Sequence, residues 1–303
     1  MADLVVAGSY NAALTVYSAT LPAPGETVVG RRFEQGPGGK GANQAIGARR
    51  LGADVLFITR LGADAFGDEA RSILLAEGLP EHGITTDDQS PTGIALILVE
   101  DSGQNAISVA PGANASLSGP DVLDSFGPDL RGCKCLLMQL ECRAELAVDL
   151  SSWARDAGCV SILNPAPARP LPPGALASFD IITPNEGELA TLAASLDLTA
   201  GPADALARQL VEYGVRDVVV TLGERGAMWA SAAGLRYFDG YPVRAIDTTG
   251  AGDAFNAGLA AALVRGEPME SAIDHGCRAG AFCVTRNGVI DGLGYPSDLE
   301  MLG

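Results

Sequence analysis

The chain has 303 residues, 47% of them hydrophobic, and 37 acidic against 20 basic side chains give it a net charge of −17. Such a length and apolar content can fill a large core, as one α/β domain with an elaboration or as two domains. The acidity argues against nucleic acid and anionic membrane surfaces as partners, since their phosphates would repel it and the basic runs are no longer than the pairs Arg31-Arg32 and Arg49-Arg50.

The chain opens on Leu4–Gly8, a short apolar strand without the basic flank or long apolar core of a signal peptide. Further strands are expected at Val55–Thr59, Cys135–Leu140, Cys159–Leu163, Asp180–Thr183 and Val218–Thr221. Helical patterns fall at about 41–51, 67–77, 144–157, 186–194, 203–213, 252–265 and 270–285. This alternation predicts right-handed βαβ units and a mostly parallel sheet with helices on both faces, whose ligands lie beyond the carboxyl ends of the strands. Two stretches break the rhythm. Glu26–Phe33 and the pair Gly93–Glu100 and Asn105–Ala110, joined by Asp101-Ser102-Gly103-Gln104, predict a small β-sheet that acts as a lid over the main domain. The reading is thus a single domain over 1–303 with a lid at about 14–35 and 92–112. Ile94, Leu96, Leu98, Ile107 and Val109 would give the lid one apolar face, suited to pairing in a homodimer. Pro165–Pro173 reads as a rigid loop. No apolar run is long enough to span a bilayer, and of the six cysteines Cys135, Cys159 and Cys283 sit in apolar stretches that fit buried thiols of a reducing compartment, so a cytoplasmic location is expected.

The most informative run is Asp247-Thr248-Thr249-Gly250-Ala251-Gly252-Asp253, which ends in a carboxylate where an apolar helix begins. Helix-start N–H groups lack intrahelical partners and carry positive potential, and glycines let an anion reach them. A carboxylate beside such a cradle can take a proton from a hydroxyl while the N–H groups stabilise a phosphoryl group in transit. Gly36-Pro37-Gly38-Gly39-Lys40-Gly41 formally fits a dinucleotide fingerprint. However, it follows a lid segment rather than the first strand, and the next strand does not end in the required acid, so a dinucleotide-binding oxidoreductase is only a remote alternative. It reads better as a glycine loop feeding a helix near Ala42, holding a polyol through backbone N–H groups, Asn43 and Lys40. Asn11, after the first strand, is either a hydroxyl binder or a turn residue, and Glu141 either accepts from a sugar hydroxyl or caps the next helix. Asn185 and Glu188 share a helix face, as water-mediated Mg²⁺ binders or as a plain capping box. Thr221-Leu222-Gly223-Glu224-Arg225-Gly226 is a glycine turn able to wrap a nucleotide.

Taken together these residues resemble the ribokinase branch of the phosphofructokinase B group of carbohydrate kinases. The resemblance runs from Gly8-Ser9-Tyr10-Asn11 to Thr285-Arg286-Asn287-Gly288 and is carried by Gly38–Asn43, Met138–Glu141, Asn164–Ala168, Thr183–Glu186 and Asp247–Asp253. It implies a β-lid that often dimerises, and transfer of the ATP γ-phosphoryl group to a sugar hydroxymethyl oxygen. Asp253 would be the base, with an anion hole from the N–H groups of Gly250, Ala251 and Gly252. Asn11, Gly39, Lys40, Asn43 and Glu141 would bind the sugar, and Asn185 and Glu188 would organise Mg²⁺ through water. Thr221, Gly223, Gly226, Gly252 and Cys277 would line the nucleotide. Asp247, Thr249, Cys283, Arg286, Gly288 and Asp291 match the loops that hold a monovalent cation, usually K⁺. Ala13 departs from the pattern, standing where ribokinases typically carry an Asp that grips sugar hydroxyls. Nucleoside or phosphosugar kinases of the same fold are the alternative.

Overall fold

The computed structural model describes residues 2–172 and 174–302; Pro173, at the end of the Pro-rich loop, lies outside the described residues, as do Met1 and Gly303. In chain order the strands are β1 (Leu4–Ala7), β2 (Asn11–Ser18), β3 (Arg32–Gly38), β4 (Val55–Gly62), β5 (Ile84–Asp87), β6 (Ile94–Glu100), β7 (Asn105–Ala110), β8 (Cys135–Gln139), β9 (Val160–Asn164), β10 (Ile181–Ile182), β11 (Asp217–Thr221), β12 (Ala227–Ser231) and β13 (Gly234–Phe238). The longer helices are α1 (Lys40–Arg50), α2 (Ala65–Ala76), α3 (Gly119–Leu130), α4 (Ala144–Ala157), α5 (Glu186–Ser195), α6 (Ala203–Tyr213), α7 (Ala251–Val264) and α8 (Met269–Cys283).

The main sheet runs β13-β12-β11-β10-β9-β8-β1-β4-β5 and is parallel from β11 to β5, with an antiparallel hairpin at the β13 edge. Its strands are short continuous apolar runs because both faces are covered. Period-2 alternation sends Leu4 and Val6 into a core with α1, α2, α7 and α8, and Val5 and Ala7 into a second core with α3, α4, α5 and α6. The chain first builds outward from β1 to β5, then returns to place β8 on the other side of β1. Strand order therefore reverses around β1, the kind of point at which open α/β sheets bind ligands beyond the carboxyl ends of their strands.

The lid is a separate sheet in the order β3-β2-β6-β7. Two expectations about it are corrected. Glu26–Phe33 is not a strand: residues 26–30 have no ladder partner and Val29 is 86% exposed, whereas β2 pairs with Arg32–Gly38. Gly36-Pro37-Gly38 is accordingly strand, not loop, which Pro37 tolerates because β3 is an edge. The apolar hairpin residues also do not share one face. Antiparallel pairing of Leu96 with Ser108, and of Ile97 with Ile107, puts Ile94, Leu96 and Leu98 on one side and Ile107 and Val109 on the other. Helix α1 begins at Lys40 rather than Ala42. All six cysteines are buried free thiols, and no described helix is long and apolar enough to cross a membrane.

Candidate active site

Strand β1 is followed by Gly8-Ser9-Tyr10-Asn11, and the glycines at the start of α1 are laid directly against this segment. Gly39 has φ 92°, and a Cβ there would stand 2.7 Å from the Asn11 nitrogen; one on Gly41 would stand 2.5 Å from the Ser9 nitrogen. Only glycine allows these two backbones to meet. Glu141, just past β8, ties them together: its Oε2 accepts from Ser9 Oγ (2.7 Å), Asn11 Nδ2 (3.1 Å) and the Lys40 N–H (3.0 Å). The capping reading of Glu141 fails, since Arg143 is the N-cap of α4. Asn11 opens β2 instead of closing a turn. Its Oδ1 accepts from Asn114 Nδ2 (2.9 Å), a buried residue whose Oδ1 also takes the Tyr10 N–H.

Helix α1 leads from this loop to the carboxylate of Asp253, which is 5% exposed. Asn43 Nδ2 donates to Asp253 Oδ2 and Gln44 Nε2 to Oδ1, both at 2.8 Å, so residues 210 and 209 positions apart meet at one acid. Asn43 Oδ1 is buried and has no partner among the described residues, an acceptor left for a hydroxyl. The field of Asp253 raises the Lys40 ammonium above its usual range. Burial opposes this, and Glu141 and Glu188 reinforce it. One ammonium thus faces three carboxylates.

Asp253 sits in the first turn of α7, whose N-cap is Gly250 in a left-handed conformation. Ala251 and Gly252 line a cavity of about 1140 Å³, together with Thr221, Gly223, Gly226 and Cys277. Gly226 has φ 89°, and a Cβ there would lie 2.1 Å from the Phe238 carbonyl oxygen, which makes the turn after β11 a glycine position. Burial pushes the Cys277 thiol up to about 12, so it meets a ligand as an uncharged wall. Val243, Phe255 and Ala281 line the same cavity and carry no polar signal that sequence reading could use.

Asn185 and Glu188 do form a capping box at the start of α5, with Glu188 Oε2 accepting the Asn185 N–H (2.9 Å) and Asn185 Oδ1 the Glu188 N–H (2.8 Å). Burial raises the Glu188 carboxyl above the usual range and Asp253 adds to this, against the Asn185 N–H and Lys40. It therefore senses the same crevice, and Oε1, free of protein hydrogen bonds among the described residues, suits a water of a hydrated divalent ion. Across α7, Asp247 Oδ1 accepts from the Thr249 N–H (2.9 Å) and Oδ2 from the Gly288 N–H (3.0 Å), while Cys283 Sγ donates to the Thr249 carbonyl (3.6 Å). Burial works to raise the Asp247 carboxyl, but the hydrogen bonds win and hold it below its usual range. This joins two loops around a carboxylate and a carbonyl, a donor set fit for a weakly bound monovalent cation. Arg286 instead lies over the Phe282 ring at 5.4 Å, and Asp291 is the exposed residue of the short helix Val289–Gly292. No group of three or more His, Cys, Asp or Glu able to hold a metal ion occurs among the described residues.

Residues 1–294 match the model of the pfkB family carbohydrate kinases. The chain belongs to that family. It is 39% identical over 288 residues to a ribokinase of Haemophilus influenzae (94% of this chain, 93% of the relative) and 35% identical over 296 residues to a deoxyribokinase of Salmonella typhi (97% and 96%). In structure it is similar to a ribokinase of Thermotoga maritima (TM-score 0.93, 31% identity, 100% and 99% covered). It is also similar to an Arabidopsis thaliana ribokinase complexed with ribose and ATP (TM-score 0.89, 30% identity, 99% and 98% covered). The ribokinase-like fold and its small lid sheet thus carry a sugar kinase, a phosphotransferase.

Proposed function

We propose that this pfkB kinase transfers the γ-phosphoryl group of ATP to the hydroxymethyl oxygen of a ribose-like pentose or related sugar. The observation that carries the reading is the 2.8 Å bond between Asn43 of α1 and Asp253 at the head of α7, which joins a polyol cradle to an acid in the first turn of a helix. Asn11, Gly39, Lys40, Asn43 and Glu141 hold the sugar, with Asn43 Oδ1 and Glu141 offering acceptors to its hydroxyls. Asp253 takes the proton of the attacking hydroxyl. The N–H groups of Gly250, Ala251 and Gly252 face the charge that develops on the moving phosphoryl group. Thr221, Gly223, Gly226 and Cys277 line the nucleotide cavity. Asn185 and Glu188 hold Mg²⁺ through water; Asp247, Thr249, Cys283 and Gly288, flanked by Arg286 and Asp291, hold a monovalent cation such as K⁺. When bound, these ions neutralise phosphate charge beside the helix start. The lid pairs with that of a second copy to form a homodimer.

The experiment is Asp253→Asn, which removes the base and keeps the shape of the cradle. Its kcat should fall by about 10²–10⁴-fold in a coupled ADP-release assay with ribose, while ATP·Mg²⁺ still raises its melting temperature. Near-normal turnover would overturn the assignment.

A further inference from the structure

A chain of buried amides closes behind the acid. Gln44 Nε2 donates to Asp253 Oδ1 (2.8 Å) and to Asn164 Oδ1 (3.1 Å), while Gln44 Oε1 accepts from Gln139 Nε2 (2.6 Å). Asn164 Nδ2 donates to the Thr183 carbonyl (3.0 Å), Thr183 Oγ1 to Asn256 Oδ1 (2.6 Å), and Asn256 Nδ2 to the Gly252 carbonyl (2.8 Å). The chain therefore begins on the carboxylate of Asp253 and ends on the carbonyl of the residue before it. Gln44 is wholly buried, and Gln139, Asn164, Thr183 and Asn256 are at most 5% exposed.

Burying so many polar groups is tolerated when they satisfy one another, as all of these but Gln139 Oε1 do, and here their pairing also fixes a direction. Gln139 donates to Gln44, so the Gln44 amino group must face Asp253. Reversing the amide would set its oxygen against two other acceptors and its amino group against the Gln139 amino group. Gln44 has both of its polar atoms occupied and no route to solvent. Asn43, on the other carboxylate oxygen, still has an unpaired Oδ1 and stands at the crevice. The two amides that touch the acid are thus unequal.

We infer that Gln44 is the positioning residue of the base: it keeps Asp253 Oδ1 permanently engaged, so that Oδ2, shared only with the yielding Asn43, is the oxygen offered to the acceptor hydroxyl. This rests on Asp253 being the base. The charged or titratable groups that face it are Lys40 of α1, itself also facing Glu141, together with Glu188 of α5 and Cys283 of α8, none of which touches Oδ1.

The test is a pair of variants in the full-length protein. Gln44→Met keeps the side chain's length and removes its donors. Its kcat should fall about 10–100-fold, with KM for sugar and for ATP changed less than about threefold and the ATP-induced rise in melting temperature retained. Gln44→Glu is nearly isosteric, and its new carboxyl can donate to Asp253 only while protonated. The ratio of its kcat to wild type should therefore fall as pH rises and that proton is lost. A merely structural role shows as a melting temperature that falls as pH rises, while kcat per folded enzyme keeps a constant ratio to wild type. A wild-type kcat for Gln44→Met, or a flat ratio for Gln44→Glu, overturns the inference, and the second measurement stands even if the first variant fails to fold. If Asp253→Asn is inactive while both Gln44 variants match wild type, only the positioning role falls. If Asp253→Asn is itself active, the reading of the base falls first.

Discussion

Asp64 links the two sheets with a single carboxylate. As N-cap of α2 its Oδ1 accepts from the Gly67 N–H (2.9 Å) and from Thr92 Oγ1 (2.8 Å), and its Oδ2 from the Thr92 N–H (2.8 Å), two residues before β6 enters the lid. Burial pushes this carboxyl up, yet the hydrogen bonds to its ionised form prevail and hold it below the ordinary aspartate value of 3.8. A depressed folded value means that the stabilisation is fully present above 3.8 and is lost as pH falls below it. Asp64→Ala should thus cost about 1–2 kcal/mol at neutral pH, allowing for partial exposure. In urea melts the gap to wild type should narrow below about pH 4; a gap that stays constant to pH 3 would mean that the charge is irrelevant.

Among the elements, α7 makes the sharpest prediction because its second residue faces emptiness. A Cβ on Gly252 would meet nothing within 4 Å, since the position opens into the cavity proposed for the nucleotide. Gly252→Ala should gain about 0.5–1 kcal/mol of helix stability, seen as a higher melting temperature. It should also lower kcat/KM for ATP by tenfold or more (about 1.4 kcal/mol), because the added methyl stands where phosphate oxygens must come. Unchanged ATP kinetics would separate this helix start from the nucleotide. How far elements can be read from sequence depends on the range of their causes. Six of the seven parallel strands were legible because burial on two faces leaves short apolar runs such as Val218–Thr221; β5, the edge strand Ile84-Thr85-Thr86-Asp87, was not, because only Ile84 in it is buried. Helix α3 was not: Gly119, Pro120, Gly127 and Pro128 each argue against helix, but Pro120 falls in the first turn, where no N–H is needed, and Ser118 caps it through the Asp121 N–H (3.3 Å). The same holds in the site. Gly39–Asn43 and Asp253 stand out through local spacing, whereas Gln44, Asn114, Gln139 and Asn164 are ordinary amides until the fold brings partners 95 to 209 positions away.

At the scale of the molecule, the lid exposes apolar side chains on both surfaces: Phe33 (58%) and Leu96 (54%) on one, Ile107 (55%) and Val109 (44%) on the other. A four-stranded sheet that wet is expected to be covered by a second copy. The double variant Phe33→Lys, Leu96→Lys should sediment as a monomer where wild type sediments as a dimer, with the main domain's melting transition little changed; a wild-type monomer at micromolar concentration would sink the idea. The junction between the lid and the main sheet has a kinetic consequence. Strand β2 starts on Asn11 and β3 ends at Gly38, next to Gly39 and Lys40, so the hinges of the flap are themselves the residues proposed to hold the sugar. A swing that lets the product out must also pull apart the grip on it, so departure and opening become one event, and the rate of that swing sets how long a phosphorylated sugar stays bound.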